Sequence, residues 1–351
     1  MGNNKSCIKK KPQDGQDFRY INGRRYHNEE TASYLLSSDM EEIDRQQLQH
    51  YCFKHIFKCN VSAPIEKKLT EGSRVLDVGC GTGIWVLELS SKYENSEFFG
   101  VDMSPVFPSQ IKPFNSNFIK ANVLDGLPFS SDEFDYVHLS FLNASFTDDQ
   151  WQNIVIPELI RVLKPNGWLE FYEVDVVQIN GGPLIERISG SLQKLCYNAG
   201  INPRLPNLLK QWLSPYKCLK DIEELVAYPF LGKWKGEIVD ELEIDNDLPG
   251  KCDDNDDTGR CNTGCENFDS DFSIKNTNVK SKYEVELGLL LKEVIKMYYT
   301  LDAENLSMCM GTSKEVFLDM LEECFEREMS EYDTRMKFMR VMCRKDDTIK
   351  K

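Results

Sequence analysis

The run Val75-Leu76-Asp77-Val78-Gly79-Cys80-Gly81-Thr82-Gly83-Ile84-Trp85 restricts what this 351-residue chain can fold into more than any other segment. A short apolar stretch ends in three alternating glycines, and apolar residues then resume. Such a pattern reads as a buried strand, a tight turn and the start of a helix. A strand this uniformly apolar is covered on both faces, as in a doubly wound, Rossmann-like α/β sheet. Ligands of such sheets sit beyond the carboxyl ends of the strands. Glycines let the backbone turn tightly and approach a ligand, and the helix start offers free N–H groups to an anion.

The spacing narrows the ligand. Dinucleotide sites carry G-x-G-x-x-G. Here Gly83 falls one position early, and Trp85 stands where that pattern wants a small residue. Asp77 precedes Gly79 by two positions and would receive an ammonium group. Asp102 lies 23 residues after Gly79, at the end of the next strand, where a carboxylate accepts from both ribose hydroxyls. In Lys120-Ala121-Asn122-Val123, the Asn122 carbonyl can accept from an adenine amino group, and the following N–H can donate to a ring nitrogen. A lone glycine turn would be no more than a strand–helix connection. With Asp77, Asp102 and Asn122 it fits a cofactor carrying a carboxylate, an amine and a sulfonium, which is S-adenosylmethionine.

Periodicity and turn residues give strands over 74–78, 97–101, 117–121, 135–141 and 168–174, alternating with helices over 83–91, 148–163 and 183–199. Ser38 and Glu41 form a capping box that opens an upstream helix reaching about residue 60. Helices over 283–299 and 312–329 follow, the second capped by Thr312 with Glu315. The stretch 334–343 carries bulky residues on both faces and is a final strand. Residues 1–19 and the Asp- and Asn-rich insertion 243–281 are expected to be disordered, the rest of 20–345 forming one domain.

Composition removes several functions. A net charge of −15 argues against duplex nucleic acid as a partner. No apolar run approaches the roughly 20 residues of a membrane-spanning helix, and the start lacks a secretory signal. The twelve cysteines are therefore expected to be reduced thiols of a cytoplasmic protein, with Cys80, Cys196 and Cys324 as small core residues. Cys252, Cys261 and Cys265 lack a nearby histidine, and no metal is expected there. The start Met1-Gly2-Asn3-Asn4-Lys5-Ser6 matches the myristoylation pattern, with Gly2 as acceptor. Cys7 as a palmitate acceptor and Lys9-Lys10-Lys11 as a contact with anionic lipid would supply the second signal that stable membrane anchoring needs.

The blocks VLDVGCGTGIW, FFGVDMSP, ANVLDGLPF, FDYVHLSFLNASF and ELIRVLKPNGWLEFYEVD resemble class I S-adenosylmethionine-dependent methyltransferases. With the upstream GRRYHNEETASYLLSSDMEEIDRQQLQH, the chain is similar to a fungal branch that includes methyltransferase-like regulators of secondary metabolism working with velvet proteins. The resemblance implies a seven-stranded, mostly parallel sheet whose last strand is antiparallel. It implies cofactor contacts at Asp77, Gly79, Cys80, Gly81, Gly83, Asp102, Met103, Asn122, Val123 and Ser140, and a nuclear location as the alternative to a cytoplasmic one. The acceptor, a small molecule or a protein, is not supplied by the resemblance. The rival reading is a regulator that acts through a protein partner with little turnover. Methyl transfer is an in-line displacement that needs alignment first, and a base only where the acceptor must lose a proton. His138, Glu173 and Asp175 fall on or just after the fourth and fifth strands, the side from which an acceptor would approach. His138 equally fits a hydrogen-bonded histidine packed within the sheet, and no residue is assigned as catalytic.

Overall fold

The structure, a computed structural model, describes residues 17–21, 23–28, 36–239 and 279–348. Gly2, Cys7, Lys9-Lys10-Lys11, Cys252, Cys261, Cys265 and most of the acidic insertion lie outside the described residues.

The chain opens with an antiparallel hairpin, β1 (Phe18–Ile21) and β2 (Arg24–His27). Its first strand begins inside the stretch expected to be disordered. The Arg24 guanidinium clasps the Asp39 carboxylate at 2.7 and 2.8 Å, tying the hairpin to α1 (Met40–Phe57). Asp39, not Ser38, caps α1 by accepting from the Glu42 N–H. Ser38 instead bonds Ser104 across the molecule. Lys58 turns into the left-handed region and ends the helix before residue 60. A short α2 (Glu66–Glu71) leads to the sheet.

The glycine-rich run forms β3 (Arg74–Val78) and α3 (Ile84–Lys92), as its pattern dictates. Then come β4 (Glu97–Asp102), β5 (Ser116–Lys120) and β6 (Phe134–Ser140). The helix expected over 148–163 is a segmented run of α4 (Asp148–Gln150), a π turn over Trp151–Val155, and α5 (Ile156–Val162). Pro157, in the first turn of α5, has no N–H to give the ladder, and the wider π turn absorbs the break. Strand β7 (Leu163–Ile179) starts earlier and ends later than expected. Beyond it lie α6 (Pro183–Asn198), α7 (Leu209–Leu213), β8 (Leu219–Ala227) and β9 (Glu237–Val239). After residue 278 come β10 (Val279–Ser281), α8 (Lys282–Leu301), α9 (Ala303–Met310), α10 (Lys314–Glu326) and β11 (Arg335–Lys345). β10 pairs in parallel with β9, so Val279–Ser281 belongs to the fold and not to the insertion. Ser281 and Glu284 form a full capping box on α8, and Ser313, not Thr312, caps α10.

The main sheet runs β5-β4-β3-β6-β7-β11-β8. β3 to β7 are parallel, and β11 lies antiparallel between β7 and β8. This is the seven-stranded, doubly wound arrangement the resemblance implied. Alternation along each strand splits the core. Val75 and Tyr136 pack with Trp85 and Leu89 of α3 on one face. Leu76 and Val137 pack with Trp151 and Leu159 on the other. A third cluster joins α1, α6, α8 and α10 over the β7–β11 end. Strand β8 escaped the sequence reading because four charged residues interrupt the apolar ones in LKDIEELVA. It sits at the sheet edge, where charged side chains discourage pairing with other chains.

Candidate cofactor site

The three glycines of the loop after β3 all have positive φ: Gly79 at 72°, Gly81 at 51° and Gly83 at 75°. Other residue types are strained there. The neighbours leave equally little room. A Cβ would come within 2.7 Å of Leu142 at Gly79, 2.8 Å of Gln46 at Gly81 and 2.5 Å of the Phe118 ring at Gly83. The loop is anchored by its own amides. Gly79 and Cys80 donate to the Val101 carbonyl, and Gly81 donates to Asp102 at 2.8 Å.

One cavity opens at this loop. It is lined by Asp77, Gly79, Cys80, Gly81, Asp102, Met103, Asn122, Val123 and Ser140. Gly83 does not line it; its conformation opens α3 while its bare Cα clears Phe118. Asp77, 2% exposed, sits beside His138 in the parallel β3–β6 register, and its Oδ1 meets His138 Nδ1 at 2.7 Å. His138 is 0% exposed, stacks flat on Trp85 at 4.0 Å and meets Tyr172 edge-on at 4.5 Å. It therefore lies behind Asp77 and not among the cavity-lining residues, which removes it as an acceptor-side base. The packed-histidine reading holds.

Glu173 and Asp175 are also committed elsewhere. Asp175 is held by Arg204 at 2.9 Å and Asn207 at 2.7 Å. Glu173 accepts from the Leu142 and Asn143 N–H groups and so fixes the loop after β6. Burial pushes its carboxyl up to about 8, against the pull of those two amides. Between the ordinary carboxylate value and about 8, the folded chain keeps a proton that the unfolded chain has released. Stability from this group is thus expected to fall as pH rises through that window. Thermal unfolding across the window should show the decline, and Glu173→Gln should flatten it.

Asp102 accepts from the backbone N–H groups of Gly81 and Ser104, both at 2.8 Å. Burial, with a smaller contribution from nearby Asp77, raises it to about 6. Asn122 differs from the sequence reading. Its carbonyl caps the turn Val123–Asp125 by accepting from Leu124 N–H, and its amide nitrogen is left buried without a protein partner. The side chain thus carries its spare capacity as a donor, because the turn has claimed the acceptor. Burial holds the Cys80 thiol far above its usual value, so it stays protonated.

The sequence reading missed the polar face of α1. Glu42, Arg45, Gln46, Gln49 and His50 all line the cavity. Glu42 and Arg45 form a buried bidentate pair at 2.8 Å, and Gln46 donates to Glu42 while reaching over Gly81. His50 bonds Glu88 at 2.9 Å, and that contact is the main cause of a Glu88 carboxyl lowered to about 2. The signal was present as polar residues at three- and four-residue intervals, marking a second helical face beside the apolar stripe. Among the described residues no His, Cys, Asp and Glu cluster suits a metal, and no helix is long and apolar enough to cross a membrane.

The family model described as a methyltransferase domain matches residues 75–167, from β3 into β7. Among curated proteins, the chain is 30% identical over 168 residues to the secondary metabolism regulator LAE1 of Cochliobolus heterostrophus, covering 47% of this chain and 54% of that protein. It is 33% identical over 215 residues to the methyltransferase pytC of Aspergillus terreus, covering 57% and 61%. It is 32% identical over 159 residues to the protein-methionine methyltransferase laeA of Emericella nidulans, covering 45% and 41%. The chain spans about half the length of the curated relatives it matches.

Proposed function

We propose that this chain is a class I S-adenosylmethionine-dependent methyltransferase and transfers the cofactor's methyl group to an acceptor. The observation that carries the reading is a single cavity joining Asp77, the Gly79–Gly81 turn, Asp102 and Asn122, whose glycine cradle a Cβ would fill. Bound there, the cofactor would supply an electrophilic methyl carbon beside a positively charged sulfur. The chain's residues bind and orient. Asp77, held by His138, receives the ammonium group. The first-turn N–H groups of α3 face the carboxylate. Asp102 accepts from the ribose, and Asn122 with the Val123 N–H meets the adenine edge. The α1 face covers the turn.

Calorimetric titration with S-adenosylmethionine and S-adenosylhomocysteine tests the binding half; absence of heat with both would sink the reading. A screen for labelled methyl transfer to small molecules and proteins tests the other half. A pH series adds a sharper check. Only ionised Asp102 can accept from both ribose hydroxyls, so affinity is expected to fall by about tenfold per pH unit below about 6. A flat profile from pH 5 to 7 would exclude Asp102 from the contact.

A second reading is favoured by the regulator designation of the Cochliobolus heterostrophus relative. It makes the chain a cofactor-binding regulator that works mainly through a protein partner. That role predicts stable co-purification of the partner and function that survives Gly81→Val. The proposed location is cytoplasmic, at a membrane surface reached through lipidation of Gly2 and Cys7. Cell fractionation checks it: Gly2→Ala should move the protein to the soluble fraction.

A further inference from the structure

We infer that the part of the cavity beyond the glycine turn receives an uncharged, largely apolar small molecule bearing a hydroxyl group; this rests on the cofactor reading above. The cavity continues from the turn into a compartment walled by Val176 of β7, Leu192 of α6, Leu291 and Ile295 of α8, and Met336 and Phe338 of β11. Each of these six is at most 7% exposed, so the compartment is internal and not a surface groove.

The charges decide what fits. The charged side chains lining the whole cavity are Glu42, Arg45, His50, Asp77 and Asp102. Every one is engaged within the protein: Glu42 with Arg45, His50 with Glu88, Asp77 with His138, and Asp102 with two backbone amides. With the cofactor in place its ammonium and ribose also take up Asp77 and Asp102, so a carboxylate, phosphate or ammonium group on the acceptor would find no free counter-ion, and an unpaired charge in such a place is strongly disfavoured. A peptide would fare little better. Its backbone would bring N–H and C=O groups against apolar walls with nothing to pair them.

Asn122 Nδ2 and Ser145 Oγ are buried without a protein partner where they line the cavity, and Tyr298 offers a further polar handle on the same helix as Leu291 and Ile295. The Tyr298 ring lines the cavity with Arg45 lying 5.4 Å from its centroid. Burial raises the Tyr298 hydroxyl well above its usual value, so it stays neutral and can donate or accept. It matches an acceptor's single oxygen. In the transfer, that oxygen gains a bond to the methyl carbon as the carbon–sulfur bond breaks. The bonding pair goes to sulfur, and a hydroxyl acceptor releases its proton to solvent.

The test uses the full chain saturated with S-adenosylhomocysteine, whose own titration reports the cofactor site independently. Titration with 4-phenylphenol, biphenyl-4-carboxylate, 4-phenylbenzylamine and a short methionine-containing peptide then reads the compartment. The phenol is expected to bind at least about tenfold more tightly than the other three. Tyr298→Phe, a half-buried change that leaves the walls intact, should weaken the phenol several-fold without altering S-adenosylhomocysteine affinity. Ile295→Asp should remove phenol binding. Equal or tighter binding of either ion or of the peptide overturns the inference. So does a protein that takes S-adenosylhomocysteine but not the phenol, or a Tyr298→Phe variant with unchanged phenol affinity. A protein that does not take S-adenosylhomocysteine overturns the cofactor reading itself, and this inference with it.

Discussion

Gly81→Val is expected to weaken S-adenosylmethionine binding by at least about a hundredfold, close to 3 kcal/mol, while the chain still folds. Gly81 has φ of 51°, and holding a β-branched residue there costs about 1–3 kcal/mol. The steric contact is relieved cheaply, because the atom a Cβ would strike is the far end of the Gln46 side chain, 2.8 Å away; the left-handed strain remains, and the loop relieves it by shifting. Shifting breaks the Gly81 N–H bond to Asp102 and moves the cavity wall, so the loss falls on binding. Gly83→Val is the control. There the Cβ would lie 2.5 Å from a Phe118 ring carbon on β5, a ring already stacked on Phe107. Its main effect should be a stability loss of about 2–4 kcal/mol, from overpacking and left-handed strain together. Calorimetry for binding and thermal unfolding for stability separate the two variants. Equal cofactor affinity in Gly81→Val and the parent chain would exclude this turn from the site.

The second large effect is expected at Asp77. Asp77→Asn keeps the shape and an acceptor for His138 but removes the negative charge. A hydrogen bond to a charged group contributes about 1.5–3 kcal/mol, so affinity should drop by about ten- to a hundredfold. Asp77→Ala should do more, since it also leaves His138 buried with no partner, at a further cost of about 1–3 kcal/mol in stability. His138→Phe tests positioning directly. A phenyl ring can keep the stack on Trp85 but cannot hold the Asp77 carboxylate. Cofactor affinity should fall about tenfold, whereas any acceptor KM measured at saturating cofactor should stay put. An acceptor KM that moves while cofactor affinity does not would mean that His138 meets the acceptor after all.

The sheet was legible because β3 and β6 carry apolar residues on both faces, and because glycines and prolines punctuate the alternation. The caps were less so. At both corrected helix starts two capping residues stand side by side, Ser38-Asp39 and Thr312-Ser313, and the second is used each time. Sequence cannot rank them, because the choice depends on partners elsewhere: Ser38 is drawn to Ser104, and Asp39 to Arg24. His138 carried the same ambiguity. Its residue type suits a base, and only the β3–β6 register shows that it faces Asp77. The α1 face over the glycine turn depends on contacts between segments 35 residues apart, Gln46 and Gly81, which no local pattern encodes.

The place of β11 has a consequence in time. β7 and β8 do not pair with each other; each pairs only with β11 on that side, and β11 is the last strand among the described residues. At about 5–20 residues per second, a ribosome needs roughly ten to thirty seconds to pass from residue 179 to residue 345. Throughout that interval the far edge of the long, apolar β7 has no strand to pair with. Synthesis rate and chaperone supply, more than final stability, should therefore set the yield of folded protein.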